Sequence, residues 1–341
     1  YEDAERLLVW LIDTCRERGA IVALAFPLAV SASLHMRRGS LGQAARLSDE
    51  AVGLGEDAVG SFLHSVTLTT AAFVAANLGD AEACIRHAEE ARAIALRLDL
   101  TSTLACAEQA LGFLALGAGD PATAVLHLES ARAHTRRFGS RDPSFLYTHA
   151  DLAEAYVRAG RSADAAPLID ELAAAAAATG GVWAQAATAR CRLLTEGGDR
   201  LDEHIAAALD AHARLAQPFE LARTQLCAGE QLRRARRRAD ARPHLAGAHA
   251  TFVALGADQW AARAAYELRA AGGRRGERSP ADELLTARER DVCTLVAGGA
   301  TNREAAAALH MSPRTVEHHL RMAYRKLGVR SRTEMTGRFE S

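Results

Sequence analysis

Among 341 residues there is a single lysine, Lys326, and aromatic side chains make up 5%. A phosphate loop of the form GxxxxGK[ST] needs a lysine in that context, and this one has no such context, so the chain contains no P-loop. Few aromatics beside abundant alanine disfavour β-structure and favour closely packed helices. The six cysteines, Cys15, Cys84, Cys106, Cys191, Cys227 and Cys293, are dispersed, with no CxxC. Each falls inside an apolar helical pattern, which predicts buried, reduced thiols rather than disulfides or a metal site. No apolar run is long enough to span a membrane and no signal peptide opens the chain, so the expected location is cytoplasmic, with no membrane partner. There is no nucleophile elbow, no HExxH and no convincing carboxylate pair, and the chain is not expected to be an enzyme. An initiator Met is also lacking: Tyr1 enters partway through an amphipathic pattern (Ala4, Leu7, Leu8, Leu11, Ile12). That start predicts a fragment of something longer.

What the chain has is length for two or three domains, hydrophobic residues at 49%, and an uneven charge. The net charge is −1, yet from Arg274 onward 13 Lys+Arg stand against 9 Asp+Glu, leaving 28 against 33 before it. A basic tail on an acidic body is the asymmetry expected of a nucleic-acid-binding end.

The body repeats. Glycine-containing turns recur at Gly39, Gly79, Gly119, Gly160 and Gly198, at intervals of 40, 40, 41 and 38 residues, and a degenerate sixth is expected at Arg238-Ala239-Asp240. Helical runs such as TLACAEQALGFLALG precede the turns, and small-residue helix starts such as AEACIRHAEEARAIALRL follow them. One helical hairpin cannot bury its apolar face alone, so successive hairpins must stack into a tetratricopeptide-like α-solenoid, with alanine at the crossings allowing close approach. The concave face of such a solenoid is a usual binding surface. His87, His127 and His134 have no second ligand at i+4 and read as solvated or capping side chains. The run Arg233 to Arg238 reads as a solvated helix end near a C-terminal dipole, with phosphate or partner contact as its alternative. The repeats, residues 1–273, close around Trp260. A glycine- and charge-rich linker follows at 274–280, and a second domain at 281–341.

In that domain three capping boxes fall within a short span, Thr286-x-x-Glu289, Thr301-x-x-Glu304 and Ser331-x-x-Glu334. With Ser312-Pro313, an N-cap followed by proline at the first helical position, they mark four helix starts. The third helix, Ser312 to Leu327, places Val316, Leu320, Ala323 and Leu327 on one stripe and Arg314, Glu317, His318, Arg321 and Arg325 on the other face. Gly328 follows as a C-terminal stop. Only about three residues separate the second helix, Asn302 to Leu309, from Pro313, the connection of a helix-turn-helix. The first helix ends near Ala297 and the fourth covers about Arg332 to Phe339.

The stretch LTARERDVCTLVAGGATNREAAAALHMSPRTVEHHLRMAYRKLGVRSRTE resembles, along its whole length, the DNA-binding domain of LuxR-type transcription regulators. LT-x-RE, Gly-x-x-Asn, Ser-x-x-Thr-Val and KLGV-x-SR stand in register. Two departures are Ala305, where a larger aliphatic residue is usual, and the polar end from Met335, where the family's fourth helix often supplies a dimer contact. The repeats plus this domain are similar to the C-terminal half of the large ATP-binding LuxR regulators, the group that includes the maltose-regulon activator. There an NTPase module precedes the repeats, so ATP would belong to such a module and no cofactor to this chain.

The resemblance implies an all-α protein, a solenoid followed by a small four-helix LuxR-type helix-turn-helix domain, acting as a transcription activator. Base readers would be Glu317, His318 and Arg321. Arg321 is long enough to pair with guanine O6 and N7, and Glu317 can accept from cytosine N4. The plainer alternative is a Glu317–Arg321 surface ion pair. Thr301, Asn302, Arg314, Thr315, His319, Arg325 and Lys326 are the expected phosphate contacts, Lys326 having helix C-capping as its other role. The implied partners are double-stranded promoter DNA, a second copy of the chain on that DNA, RNA polymerase, and an inducer or protein at the solenoid. The competing reading is an interaction scaffold whose helix-turn-helix does not bind DNA.

Overall fold

The computed structural model describes residues 2–55, 61–140, 142–143, 145–272 and, beyond these, 289, 292–293, 295–296, 300–308, 311–327, 329, 331 and 334. The chain divides into two compact units, Tyr1–Gly272 and Gly273–Ser341. Among the described residues every regular element is helical and none is long and apolar enough to cross a membrane. The stretch 274–280, expected as a linker, lies outside them.

The first unit opens with α1 (Glu2–Glu17) and continues in pairs: α2 (Ile21–Arg37) with α3 (Leu41–Gly55), α4 (Phe62–Leu78) with α5 (Ala81–Leu98), and α6 (Thr101–Ala118) with α7 (Pro121–Phe138). Then come α8 (Thr148–Arg158) with α9 (Ser162–Thr179), α10 (Val182–Thr195) with α11 (Leu201–Ala213), α12 (Pro218–Arg234) with α13 (Arg238–Leu255), and α14 (Asp258–Ala270). Each even helix packs on its odd partner and on the next even helix, from α2 through to α14, which makes a helical-hairpin solenoid with the even helices inside. That position explains α6, which is apolar nearly all round and buried from Thr103 to Gly117 except at Cys106.

In two of the hairpins the turn comes from two adjacent residues. Gly79 and Gly119 end their helices at φ of 87° and 77°, left-handed conformations that cost glycine nothing. The next residues, Asp80 and Asp120, cap the following helix by accepting from the N–H of Ala83 and Thr123 at 3.0 and 3.1 Å. The sixth turn departs from expectation. Its left-handed residue is Arg236, at φ 62°, and Arg238 already begins α13. A non-glycine there hides the turn from a search for glycine. Within the arginine run around it, Arg233 pairs with Glu267 at 2.5 Å and Arg237 with Asp202 and Asp240, each at 2.7 Å.

Close helix crossing also takes glycine. A Cβ on Gly112 would lie 2.6 Å from Leu128 Cγ, and one on Gly229 would lie 2.4 Å from Leu245 Cγ. In each hairpin the outer leucine fills the space of the missing side chain on the inner helix.

The inner layer curls until its end meets its middle. α14 packs on α6 as well as on α12 and α13, and Trp260 is fully buried. Its ring centroid lies 5.5 Å from Phe113 and 5.8 Å from both Phe219 and Phe252. The middle of the concave face is therefore filled by the chain itself.

Beside this aromatic cluster lies a buried ionic one. Arg223 is fully buried, with Nη2 2.8 Å from both Asp151 and Glu154 and Nη1 3.2 Å from Glu220. Its guanidinium also faces the Phe113 and Trp260 rings, at 5.1 and 4.9 Å. Arg190 reaches Glu220 at 2.5 Å, while Arg158 bridges Glu154 and Glu230 at 2.7 and 2.9 Å. Burial works to raise the Glu154 and Glu220 carboxyls, but the surrounding guanidiniums, Arg158, Arg223 and Arg190 at Glu154 and Arg190 and Arg223 at Glu220, outweigh it and hold both at about 2. Burial dominates at Asp151 and Glu230, which sit above the ordinary carboxylate range.

Replacing Arg223 with alanine would leave three buried carboxylates without their shared cation, and should cost about 3–5 kcal/mol in denaturant unfolding. The pH dependence follows from the depressed carboxyls. Glu154 and Glu220 contribute fully above their ordinary 4.5, and that contribution is lost as pH falls toward about 2. The raised Asp151 and Glu230 act in the opposite sense above the ordinary range, so a fall in the unfolding midpoint below pH 4.5 reports Glu154 and Glu220.

Candidate nucleic-acid interface

In the second unit, α15 (Asn302–Ala308) precedes α16 (Pro313–Leu327). Both starts are fixed by side chains. Thr301 N–H donates to Glu304 Oε2 at 2.7 Å while Glu304 N–H donates to Thr301 Oγ1 at 3.3 Å, a reciprocal capping box. The bonded Thr301 N–H holds the Glu304 carboxyl below its usual range. At α16, Ser312 Oγ accepts from Thr315 N–H at 3.1 Å and Pro313 takes the first helical position. At the third box, Glu334 N–H donates to Ser331 Oγ at 3.2 Å. Thr286, Gly328 and, apart from Glu334, the expected fourth helix lie outside the described residues, as does the polar end from Met335.

A compact core sets the direction of α16. Val316, Leu320 and Ala323 are buried against Val292, Cys293, Val296, Ala305 and Ala306, with Met311 and Tyr324 packed at the edge. Ala305 is fully buried, so its small side chain sits at the contact between the two helices. With one stripe anchored, helical geometry turns Glu317, His318, Arg321 and Arg325 outward, and all four are exposed.

The remaining expected contacts distribute around this face. Thr301 and Thr315 are exposed, Asn302 and His319 partly so, and His319 stands 5.8 Å from the His318 ring. Arg325 Nη2 approaches Met322 Sδ at 2.5 Å. Arg314 belongs to the first turn of α16, but its side chain lies outside the described residues. Glu317 and Arg321, four apart, do not pair among the described residues, so the surface ion pair is not formed.

Lys326 has a task that sequence reasoning missed. Its Nζ lies 2.6 Å from Glu289 Oε2, and Glu289 is buried. The ammonium neutralises a desolvated carboxylate and ties the end of α16 to the first helical segment of the module. The signal was present: Glu289 shares a helical face with Val292, Cys293 and Val296, and a charge on a buried face needs a partner.

Comparison with known proteins bears on this same segment. The family model GerE, described as bacterial regulatory proteins of the luxR family, matches residues 283–338. The spore germination protein GerE of Bacillus subtilis (strain 168) is 43% identical over 51 residues, 15% of this chain and 69% of that protein. YhjB of Escherichia coli (strain K12), named as an HTH-type transcriptional regulator, is 44% identical over 50 residues, 15% of this chain and 25% of that one. A relative so named in Mycobacterium tuberculosis (strain ATCC 25618 / H37Rv) is 49% identical over 51 residues, 15% of this chain, which spans only 6% of that relative's length. Among solved structures, a Rap protein complexed with competence and sporulation factor aligns over 75% of this chain and 76% of its own, at 14% identity and a TM-score of 0.47.

Because Ser312 satisfies an N–H that opens α16, Ser312→Ala should cost about 1 kcal/mol, and hydrogen exchange across residues 312–318 in the full chain should accelerate about fivefold.

Proposed function

Because the chain belongs to the luxR family of bacterial regulatory proteins, we propose that it is a sequence-specific DNA-binding transcription activator whose helical-repeat unit receives an inducer or protein signal. The observation that carries the DNA-binding part is the two-sided character of α16. One stripe, Val316, Leu320 and Ala323, is buried, and the opposite face presents Glu317, His318 and Arg321 to solvent. A capped, rigidly seated helix with long polar side chains on its free face can enter a major groove and pair with base edges.

In this reading Arg321 donates to guanine, Glu317 accepts from cytosine, and His318 contacts the neighbouring step. Thr301, Asn302, Arg314, Thr315, His319 and Arg325 meet phosphates, which set register without reading sequence. Lys326 acts through Glu289, fixing the angle at which α16 is offered. Residues 281–341 are the output domain and 274–280 its tether. The protein works as a homo-oligomer on promoter DNA and engages RNA polymerase there. ATP belongs to a separate module of the kind that precedes such repeats in similar regulators. The excess of basic residues after Arg274 supplies the long-range attraction to DNA.

The test is selection of duplexes by the full chain from a random library at low salt. A recovered consensus, bound with an affinity that falls steeply with salt, supports the reading; no retained duplex refutes it. On the consensus, Arg321→Ala should cost about 1–3 kcal/mol and relax preference at one position. Arg314→Ala should weaken all sequences alike and lower the salt slope by about 1. Equal losses on consensus and random DNA for Arg321→Ala would reassign it to the phosphates.

A further inference from the structure

Although α14 fills the middle of the solenoid's inner face, a groove of about 610 Å³ remains open over α2, α4 and α6, with the connection from α7 to α8 as its rim. Its walls are aromatic and aliphatic: Phe26, Val30, Phe62, Phe73, Phe138 and Phe145. Phe26, Phe62, Phe138 and Phe145 are 48%, 52%, 50% and 43% exposed. Single exposed apolar side chains are ordinary, but four half-exposed phenylalanines around one concavity are not. We propose that this groove binds a neutral, largely apolar small molecule that carries hydrogen-bond donors, and that this is the inducer site of the repeat unit.

The ligand class follows from what the lining offers. Among the described lining residues the charged side chains are one of each sign, Arg37 and Asp142, a balance that offers no surplus charge to an ionic ligand. Three of the lining hydroxyls, on α2 and α4, are committed as donors. Ser33 donates to Ala29 O at 3.2 Å, Thr69 to Val66 O at 3.0 Å and Thr70 to the same carbonyl at 3.1 Å. Each therefore faces an incoming molecule as an acceptor only, and its complement is a ligand O–H or N–H. Burial pushes the Cys106 thiol, which also lines the groove, up to about 12, so it stays neutral and serves as an apolar contact.

An extended peptide is disfavoured by the same inventory. Its main chain presents donors and acceptors in alternation, a pattern that one amide side chain can meet from both sides. Gln109, the amide in the lining, already donates to Asp151 at 2.6 Å and accepts from Thr148 at 2.6 Å. The volume lies within the range of about 300–1,000 Å³ usual for small-molecule pockets.

The groove is also connected to the closure of the solenoid. Its lining residue Arg37 donates to the Tyr147 hydroxyl at 2.7 Å, and Tyr147 OH donates to Gln217 Oε1 at 3.4 Å. Tyr147 stacks on Trp183 with centroids 4.1 Å apart. A ligand that moves Arg37 or Tyr147 thus acts on α2, α8, α10 and the start of α12 together. Calling the groove an inducer site rests on the regulator reading; its binding chemistry does not.

Two probes share one scaffold and differ by a charge: N-phenyl-1-naphthylamine, neutral with one N–H, and its sulfonated analogue 1-anilinonaphthalene-8-sulfonate. Titrated into the full chain, the neutral probe should show saturable emission at one site, and the sulfonate should bind at least about tenfold more weakly. Thr70→Trp and Ser33→Trp fill the groove and should each weaken the neutral probe at least about tenfold, while Leu126→Trp, on the exposed face of α7, should leave it unchanged. Thr70→Val keeps the side-chain volume and removes one acceptor, and should weaken it by roughly fivefold even if the tryptophan variants fold poorly. Absence of saturation, equal binding by all four variants, or equal binding of the two probes would overturn the proposal. Duplex binding by the same preparations separates the readings. DNA bound with no groove binding sinks the groove alone, and groove binding with no DNA bound sinks the regulator reading alone.

Discussion

The repeat unit depends on a set of charges that have been taken out of water. Desolvating a carboxylate or a guanidinium costs several kcal/mol, and only near-complete mutual pairing offsets it. Arg223 meets that condition because three acids, on α8 and α12, and two aromatic faces, on α6 and α14, converge on it. The convergence exists only when the solenoid has curled far enough to bring its last inner helix back to its middle. Hydrophobic stacking of hairpins is local and would tolerate a range of curvatures. The ionic cluster does not, since a small change in curl would strip a buried charge of its partner. It selects one curvature from those the repeats allow, at a stability cost that an apolar core would not carry.

This division of labour explains how much was legible in the residues. Most of the hairpins were, because they rest on neighbours in sequence: a glycine at positive φ, in two of them an aspartate that caps the next helix, and small residues at the crossing. The turn at Arg236 was not, because the left-handed conformation there is imposed by packing on a residue that does not advertise it. Closure was not legible either. Glu154, Arg190, Glu220 and Arg223 look in sequence like solvated helix faces, and nothing local says that they meet. The contact of Trp260 with Phe113 spans most of the unit, and no periodicity carries it.

The second unit was read more fully, since its organisation is almost all local. Capping at Thr301 and Ser312 and the buried stripe of α16 are short-range statements, and they set which face is offered outward. The one element that escaped is the tie between Lys326 and Glu289, which joins residues far apart in the chain. Base contact itself is a property of the complex with DNA. The residues supply side-chain chemistry and direction, and the pairing of each with a base is a reading of that chemistry.

The tie at Lys326 has a chemical corollary. In a chain this poor in lysine, it is the one side-chain ammonium that an acyl donor or an amine-directed reagent could find, and it is only partly accessible. Acylation would delete the cation opposite a buried carboxylate and so strain the seating of α16 without touching the side chains on its exposed face. A single covalent mark would therefore act on the seating of α16 while leaving the repeat unit, which has no lysine, chemically unaltered.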